Sequence, residues 1–306
     1  MLEKIINENL WKIISTKVGI KNLTELRLRA GKPIVAFMGN IPWFVCENGL
    51  TESLEKAIYF TYEEIQSIIF SASEFSIYAV NEEIKRGYLV LADATRIGVS
   101  GRVIIENDQI KTISNFTSIN IRIPHQIKNC SLCCFKSLTS NGVKSTLVIS
   151  PPGGGKTTFL RDFALQLSLT ANPLNITILD ERGEIAGGES GGLSTGNFTD
   201  ILSFVPKKQG FEIATRTLAP DIIIADEIGT EEDANAVFSA FNAGIKIFAS
   251  VHAGSLEELK HKPFLKKLIE ENCFERYVLL SKKNGPGTFE GVFGKNFLRL
   301  GFGGEQ

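Results

Sequence analysis

The sequence predicts an α/β protein in which a smaller α+β domain precedes a larger domain built on a parallel β-sheet. Three observations lead to this fold class. Helical and alternating apolar patterns mix over the first 125 residues. After residue 143, strands that are apolar on both faces alternate with helices, as in a parallel sheet covered on both sides. A glycine-rich segment stands between the first of these strands and a helix. We therefore predict domains at 1–125 and 143–306, joined by a linker at 126–142.

Length and composition fit a globular protein of this kind and exclude several other classes. The chain has 306 residues, enough for about two domains. Hydrophobic residues make up 43% and charged residues 22%, which excludes a disordered or fibrous chain. Lys and Arg number 33 against 34 Asp and Glu, and this balance argues against a dedicated nucleic-acid-binding protein. No apolar run reaches the roughly 18–20 residues of a membrane span, so no transmembrane segment is predicted.

The five cysteines are predicted to be reduced thiols, because their number is odd and the N-terminus lacks the pattern of a signal peptide. Cys130, Cys133 and Cys134 lie close together in the sequence, and with His125 they could supply the four ligands of a zinc site. We favour small buried thiols and keep zinc as the alternative.

Apolar periodicity defines the elements of the first domain. In order, these are a helix over 3–18, strands within 24–46, helices over 62–80 and 81–87, and strands over 96–105 and 118–123. The helix at 62–80 follows Thr61 and Glu64, which have the spacing of a capping box. This domain shows no metal, nucleophile or phosphate motif of its own.

Strands and helices alternate in the second domain. Its predicted elements are a helical piece at 129–139 within the linker, strands over 146–150, 175–180, 221–226 and 246–251, a helix that begins at 156, and a helix over 231–242. Ligands of open α/β sheets bind beyond the carboxyl ends of the strands. Residues that follow these strands are therefore the candidates for a functional site.

A glycine-rich loop, residues 150–157, follows the first of these strands and leads into a helix. It matches the phosphate-loop pattern G-x-x-x-x-G-K-[ST], except that Ser150 stands in place of the first glycine. Glycines let backbone N–H groups point at phosphate oxygens, and the helix N-terminus adds its positive end. Lys156 supplies a charge to the β- and γ-phosphates, and Thr157 offers its hydroxyl to Mg²⁺. The pattern therefore predicts ATP and Mg²⁺ as cofactors. The residues predicted to contact them here are Ser150, Pro151, Pro152, Gly153, Gly154, Gly155, Lys156, Thr157 and Thr158.

An apolar strand that ends in two acids matches a Walker B motif. Asp226 is the first acid and can hold Mg²⁺, while Glu227, the next, can polarise the attacking water. Such a strand is a weak signal alone, but about 70 residues after a glycine-rich loop it supports the same site.

A second acidic segment and a histidine follow other strands of the predicted sheet. Asp180 and Glu184 belong to the segment DERGE at 180–184, which we expect at the same edge as the glycine-rich loop. Glu184 and Glu227 are both candidates for the water-activating base, and the sequence does not choose between them. His252 ends the next strand and is predicted to sense the γ-phosphate.

Arginines are the predicted source of a cation for the transferred phosphoryl group, on which charge develops in the transition state. The candidates are Arg96, Arg102 and Arg122 on strands of the first domain, and Arg216 before the Walker B strand. We expect at least one of them near the nucleotide.

These segments together resemble the stage III sporulation protein AA family of endospore-forming bacteria, over essentially the whole chain. In the first domain the resemblance is carried by ELRLRAGKPI at 25–34, EEIKRGYLVL at 82–91, RIGVSGR at 96–102 and SINIRI at 118–123. In the second it is carried by ISPPGGGKTTFLRD at 149–162, LDERGEIA at 179–186, APDIIIADEIGTEEDANAV at 219–237 and SVHA at 250–253. The glycine-rich loop and the acidic strand alone would indicate only a P-loop ATPase.

That family is similar to the ATPases of type II and type IV secretion systems. The resemblance implies a RecA-like P-loop ATPase domain that follows an N-terminal domain, in a homo-oligomer that is usually a hexamer. It implies that 180–184 is an aspartate box, that His252 is a histidine box, and that Arg216 is the arginine upstream of Walker B. It further implies that Arg102 or Arg122 approaches the phosphates when the domains close.

The function implied by the resemblance is that of a cytoplasmic ATPase of the mother cell, which energises a channel complex at the forespore membrane. Its implied partners are membrane proteins of the stage III sporulation channel complex, and no nucleic acid is expected. Two alternatives stay open: a nucleic-acid-associated P-loop ATPase, and a scaffold that binds ATP with negligible turnover. The pair Asp226-Glu227 replaces the Gly-Glu of many secretion ATPases, which leaves the choice of base open.

Overall fold

Two units, Met1–His125 and Gln126–Gln306, make up the chain in the computed structural model. The structure describes residues 2–39, 41–78, 80–91, 93–187 and 193–301. The last part of the predicted domain 143–306, residues 302–306, lies outside these ranges. Within them, no helix is both long enough and apolar enough to cross a membrane.

Among the described residues, an antiparallel sheet and four helices form the first unit. Its strands are β1 (Leu23–Arg29), β2 (Lys32–Pro33), β3 (Val35–Met38), β4 (Ile41–Cys46), β5 (Gly49–Thr51), β6 (Tyr59–Phe60), β7 (Tyr88–Val90), β8 (Arg96–Glu106) and β9 (Gln109–Arg122). Its helices are α1 (Leu2–Ile5), α2 (Glu8–Ile13), α3 (Tyr62–Ala72) and α4 (Asn81–Lys85), with a π-helical turn at Ile14–Val18 and 3₁₀ turns at Ile20–Asn22 and Leu54–Lys56. Seven strands pair in the order β5-β4-β3-β1-β9-β8-β7, and β2 pairs with β6 separately.

The predicted alternation of apolar and polar residues explains why the helices cover one face of this sheet. Leu26 and Leu28 on β1, two residues apart, are buried in the same core as Ile119 and Ile121 on β9. Ile65 of α3 belongs to this core as well. The strands expected at 96–105 and 118–123 are confirmed as β8 and β9, and the structure extends the second of them back to Gln109.

Two helices of the first unit differ from the prediction in their length. The helix expected over 3–18 is divided, because the side chain of Asn7 accepts a hydrogen bond from the N–H of Leu10 and so caps a new helix, α2. The helix expected over 62–80 begins with the predicted capping box of Thr61 but ends at Ala72. Glu74, two residues beyond its end, has a φ of 50°, which does not continue a right-handed helix.

In the described part of the second unit there are a seven-stranded sheet and six helices. Its strands are β10 (Thr146–Ser150), β11 (Ile176–Asp180), β12 (Thr199–Ser203), β13 (Ile222–Ala225), β14 (Lys246–His252), β15 (Arg276–Ser281) and β16 (Thr288–Phe293). Its helices are α5 (Leu132–Thr139), α6 (Lys156–Ser168), α7 (Lys207–Ile213), α8 (Glu231–Asn242), α9 (Leu256–Lys260) and α10 (Lys266–Glu270), with a π-helical turn at Ala214–Leu218 and a 3₁₀ turn at Pro263–Leu265.

The second sheet is parallel, as predicted, except for its last strand. The order is β12-β11-β13-β14-β10-β15-β16, and only β16 is antiparallel to its neighbour. Strand β13 shows why its sequence is apolar throughout: Ile223 packs into the core on one face of the sheet, and Ile222 and Ile224 pack into the core on the other. The parallel register brings the ends of β10, β11, β13 and β14 to one edge.

The segment predicted as a linker, 126–142, packs within the second unit. It contains α5, whose Cys134 and Leu138 are buried in the core beneath the sheet. The carboxylate of Asp162 on α6 accepts hydrogen bonds from the N–H of Asn129, at 2.7 Å, and from the N–H of Ser131, at 2.8 Å. Burial raises the pKa of Asp162, but hydrogen bonds from the Ser131 hydroxyl and from these two N–H groups outweigh it and hold the pKa below its ordinary value.

Candidate functional site

The glycine-rich loop joins β10 to α6 in a conformation that needs its glycines. Gly153 and Gly155 have φ values of 65° and 90°, which strain other residues. At Gly154 the limit is space, because a Cβ would stand 2.0 Å from the Oγ of Ser150 and 2.9 Å from the carbonyl oxygen of Pro151. Ser150, in the place of the usual first glycine, is fully buried and its Oγ donates to the Pro151 carbonyl at 3.1 Å.

Lys156 opens α6 and points into a group of charged side chains. Its Nζ lies 2.7 Å from Nδ1 of His252, which ends β14. Only 6% of Lys156 is exposed. Burial lowers the pKa of its ammonium, and the charges of Asp226, Glu227 and Glu184 act in the opposite direction. The structure therefore brings together predicted residues from four separate segments.

Thr157 and Asp226 meet at the expected cation site. The hydroxyl of Thr157 donates to Oδ2 of Asp226 at 2.5 Å. These two groups are hard oxygen donors of the kind that Mg²⁺ takes, and Mg²⁺ usually completes its shell with phosphate oxygens and water. Among the described residues, no three His, Cys, Asp or Glu side chains are grouped as metal ligands. The donor set thus fits a Mg²⁺ ion that is shared with a phosphate ligand.

Glu227 is held by its backbone and by the side chains of two neighbours. Its N–H donates to the Oγ of Ser250 at 2.9 Å, and its φ is 49°, which is uncommon for a residue with a side chain. Its carboxylate lies 3.3 Å from Nη1 of Arg182 and 3.6 Å from Nε2 of His252. The Glu227 side chain is therefore directed toward the same place as Lys156.

The acidic segment after β11 is shaped by one buried carboxylate. Asp180 accepts hydrogen bonds from the N–H groups of Glu184 (2.7 Å), Ile185 (3.1 Å) and Ala186 (2.8 Å). Burial raises the pKa of Asp180, and these three N–H groups act to lower it. Arg161 of α6 donates to the carbonyls of Glu184 and Ile185, at 2.6 Å and 2.5 Å. The Asp180 carboxylate therefore orients the segment that carries Glu184.

Both candidate bases line one small cleft. Glu184 and Glu227 share it with Asp226 and with Lys207, whose ammonium forms an ion pair with Glu181. The prediction that these acids converge at one edge of the sheet is met by this geometry. The choice between Glu184 and Glu227 as base stays open.

The structure places Arg216 in a groove of about 360 Å³ between α7 and α8, beside Phe211 and Glu232. No residue of the glycine-rich loop lines that groove. Arg102 is exposed on β8, in register with Ser114, and Arg122 on β9 lies 3.6 Å from a carboxylate oxygen of Glu25. A nucleotide contact by any of these three arginines stays a prediction.

The other residues that were predicted to contact the nucleotide lie near the two ends of the glycine-rich loop. Pro152 is exposed, and Pro151 supplies the carbonyl that accepts the N–H of Gly154 at 3.0 Å. Thr158 is on the first turn of α6, and its carbonyl lies 3.8 Å from the thiol of Cys130. Nucleotide contacts by Pro151, Pro152 and Thr158 also stay predictions.

The thiols of the cysteine cluster differ in the direction in which their pKa values are shifted. Burial raises the pKa of Cys130 to about 12, whereas a hydrogen bond with Cys134 lowers the pKa of Cys133 to about 7. His125, the fourth ligand in the zinc alternative, places its Nε2 2.9 Å from the carbonyl oxygen of Leu23.

Arg161 is a site residue that sequence reasoning missed, and Ser250 is one whose role it did not find. Ser250 donates to Oδ1 of Asp226 and accepts the N–H of Glu227, so it joins the two acids. A serine within the apolar strand KIFASV was the available signal. Arg161 is buried in α6, and a pair of opposite charges, Arg161 and Asp162, between two apolar residues was a similar signal.

Comparison with known families identifies relatives of the whole chain. The model of the family described as "Sporulation stage III, protein AA" matches residues 1–300. The "Stage III sporulation protein AA" of Bacillus subtilis (strain 168) is 35% identical over 280 residues, which cover 90% of this chain and 87% of that protein.

Two solved structures, one of a pilus retraction motor and one of an ATPase, resemble the fold of this chain. The pilus retraction motor PilT with bound ADP matches with a TM-score of 0.62 and 13% identity, over 89% of this chain and 78% of that one. The ATPase DotB of Legionella pneumophila matches with a TM-score of 0.54 and 14% identity, over 88% and 75%. Likeness at this identity concerns the fold alone. The predicted fold class, a RecA-like P-loop domain preceded by an α+β domain, is confirmed.

Proposed function

This chain belongs to the family Sporulation stage III, protein AA, and from that premise we propose that it is an ATP-hydrolysing motor that acts in sporulation. The observation that carries the proposal is the meeting of Lys156, Thr157 and Asp226 at the start of α6. A buried ammonium and a hydroxyl–carboxylate pair 2.5 Å apart stand where a glycine-rich loop opens a helix. That combination suits a nucleoside triphosphate with Mg²⁺.

Each residue of the site has a separate role in the proposed reaction. The N–H groups of the glycine-rich loop and Lys156 hold the phosphates. Thr157 and Asp226 would hold Mg²⁺, which supplies charge to the β- and γ-phosphate oxygens when bound. Glu227 or Glu184 takes a proton from the attacking water. His252 lies between Lys156 and Glu227, and we expect it to respond to the γ-phosphate.

The finer part of the proposal concerns assembly and location. The resemblance supports a homo-oligomeric ring, with a hexamer as the expected form, because oligomeric secretion ATPases share this domain order. It also supports membrane proteins of the stage III channel complex as partners, at the mother-cell side of the forespore membrane. Co-sedimentation of the full chain with vesicles that carry those partner proteins would test this part, and vesicles without them are the control.

The test of the proposal is ATP hydrolysis by the full chain and by Lys156→Ala. The substitution removes the main charge of the glycine-rich loop, so we expect turnover to fall by roughly 100-fold and ATP binding to weaken strongly. Lys295→Ala, which removes an exposed lysine outside the site, is the matched control. Turnover of Lys156→Ala within about twofold of the wild type would exclude the glycine-rich loop as the active site.

The same assay separates the alternatives. Tight ATP binding without turnover, even with membrane partners, would identify a nucleotide-dependent scaffold. Stimulation by single-stranded DNA or RNA would identify a nucleic-acid-associated ATPase.

A further inference from the structure

A loop from the end of the sheet lies against the glycine-rich loop. We call residues 282–287, between β15 and β16, the hairpin loop. The N–H of Gly287 donates to the carbonyl of Gly154 at 3.1 Å. A Cβ on Gly155 would stand 2.9 Å from the Cα of Gly287, so the two backbones approach closely. This contact is independent of the acids described above.

The hairpin loop is ordered by its own hydrogen bonds. The hydroxyl of Thr288 donates to the carbonyl of Gly285 at 2.7 Å and accepts the N–H of Asn284 at 3.1 Å. At the other end, the hydroxyl of Ser281 donates to Glu290 at 2.5 Å and accepts the N–H of Lys283 at 3.1 Å. The loop therefore presents its first side chain, Lys282, in a defined place.

Lys282 extends over the glycine-rich loop. Its Nζ lies 3.2 Å, and its Cε 3.5 Å, from the position that a Cβ on Gly153 would take. Burial lowers the pKa of the neighbouring Lys156, and the Lys282 charge acts in the same direction.

Two ammonium groups beside one loop repel each other unless an anion lies near both. The backbone N–H groups of the glycine-rich loop also favour an anionic ligand. We propose that Lys282 is a second phosphate-binding lysine, whose ammonium contacts the phosphates of a bound nucleoside di- or triphosphate from the side of the hairpin loop. The inference rests on the proposed function and adds a contact to it.

The experiment measures the affinity of the full chain for Mg²⁺ and ADP with a fluorescent ribose label. We expect Lys282→Gln to raise the Kd about tenfold, which corresponds to about 1.4 kcal/mol. Lys282→Arg keeps the charge and should restore most of the affinity. The matched control is Lys283→Gln, which makes the same change at the next residue and should stay within about twofold of the wild type. Unfolding of each variant without nucleotide shows whether the fold is kept.

The results distinguish this inference from the proposed function. If the wild type binds ADP and Lys282→Gln binds it equally well, Lys282 is not a phosphate ligand, while nucleotide binding itself stands. The same conclusion follows if Lys283→Gln weakens binding as much as Lys282→Gln. If the wild type does not bind ADP, the proposed function fails and this inference fails with it.

Discussion

At the scale of single residues, the hydroxyl of Ser250 determines how the two acids of the site are placed. It donates to Asp226 and accepts the N–H of Glu227, so one side chain of β14 connects both residues that follow β13. Fully buried, Ser250 has no competing contact with water. The consequence is that Asp226 faces Thr157 while Glu227 faces His252.

The identity of the base is a residue-scale prediction. If Glu227 activates water, Glu227→Gln should keep ATP binding and lose turnover, because an amide of the same shape does not take a proton. Glu184→Gln should then have the smaller effect. The reverse result would place the base in the segment after β11. Single-turnover hydrolysis, together with ATP affinity for each variant, makes the comparison.

Either assignment of the base requires that the substitution lower the rate of ATP hydrolysis measurably. If neither substitution lowers the rate by at least roughly tenfold, which is about 1.4 kcal/mol, then neither acid is the base. Glu181→Gln serves as the control, because Glu181 lines the same cleft but is paired with Lys207.

At the scale of elements, the glycine-rich loop shows how a departure from the usual pattern is accommodated. Ser150 replaces the usual first glycine, and its Oγ occupies space that a side chain at residue 154 would need. Gly154 does not have a left-handed φ, so its backbone tolerates alanine and only the contact forbids it. Ser150 and Gly154 are therefore a coupled pair.

This coupling predicts a rescue. Gly154→Ala should lower the free energy of unfolding by about 1–3 kcal/mol, the usual cost of overpacking. Adding Ser150→Gly removes the atom at 2.0 Å and should recover part of the loss, while the Pro151 carbonyl at 2.9 Å keeps the recovery incomplete. Urea unfolding of the two single variants and the double variant measures the coupling.

Ser150 and Gly154 are not coupled if Ser150→Gly lowers the free energy of unfolding by the same amount in the Gly154→Ala variant as it does in the wild type. That outcome would mean that the loop moves to admit the new methyl group.

The elements differ in how far the sequence could predict them. Strand β10 was predicted with its observed ends, because it is buried on both faces between a polar segment and the glycines. The edge strand β12 was missed, because its residues are mostly half-buried and show neither pattern clearly. The division between α1 and α2 was missed, because Asn7 acts through a hydrogen bond that helical periodicity does not report.

The residues of the candidate site also differ in how far the sequence could predict them. Lys156, Thr157 and Asp226 could be predicted, since a glycine-rich loop and an acidic strand end carry local patterns. The burial of Asp180 under three N–H groups could not, because it depends on the path of the chain beyond β11. Lys282 could not either, since its place is set by β15 and β16, neither of which was predicted.

At the scale of the whole molecule, α5 bears on where the second unit begins. Its Cys134 and Leu138 are 3% and 0% exposed within the core of that unit. The Asp162 carboxylate holds the segment just before it. A cut at residue 143, the start of the predicted domain, would remove these contacts.

We therefore predict that a fragment of residues 126–306 is more stable than one of residues 143–306. Loss of a buried leucine side chain alone costs about 2–5 kcal/mol, and Asp162 would lose its partners as well. Guanidinium unfolding of the two fragments measures the difference. Leu138→Ala in the longer fragment should reproduce a large part of it, and equal midpoints for the two fragments would show that α5 adds nothing to the core.

The direction of the last strand also decides when the site can be completed as the chain is made. Because β16 runs antiparallel to β15, the chain turns back at the edge where β15 ends, and the short hairpin loop reaches the glycine-rich loop directly. A parallel strand would need a crossover of about a dozen residues or more, which leaves that edge. The glycine-rich loop leaves the ribosome first, and residue 287 follows on the order of 10 s later at about 5–20 residues per second. During that interval every new chain carries a glycine-rich loop that Lys282 and Gly287 have not yet joined.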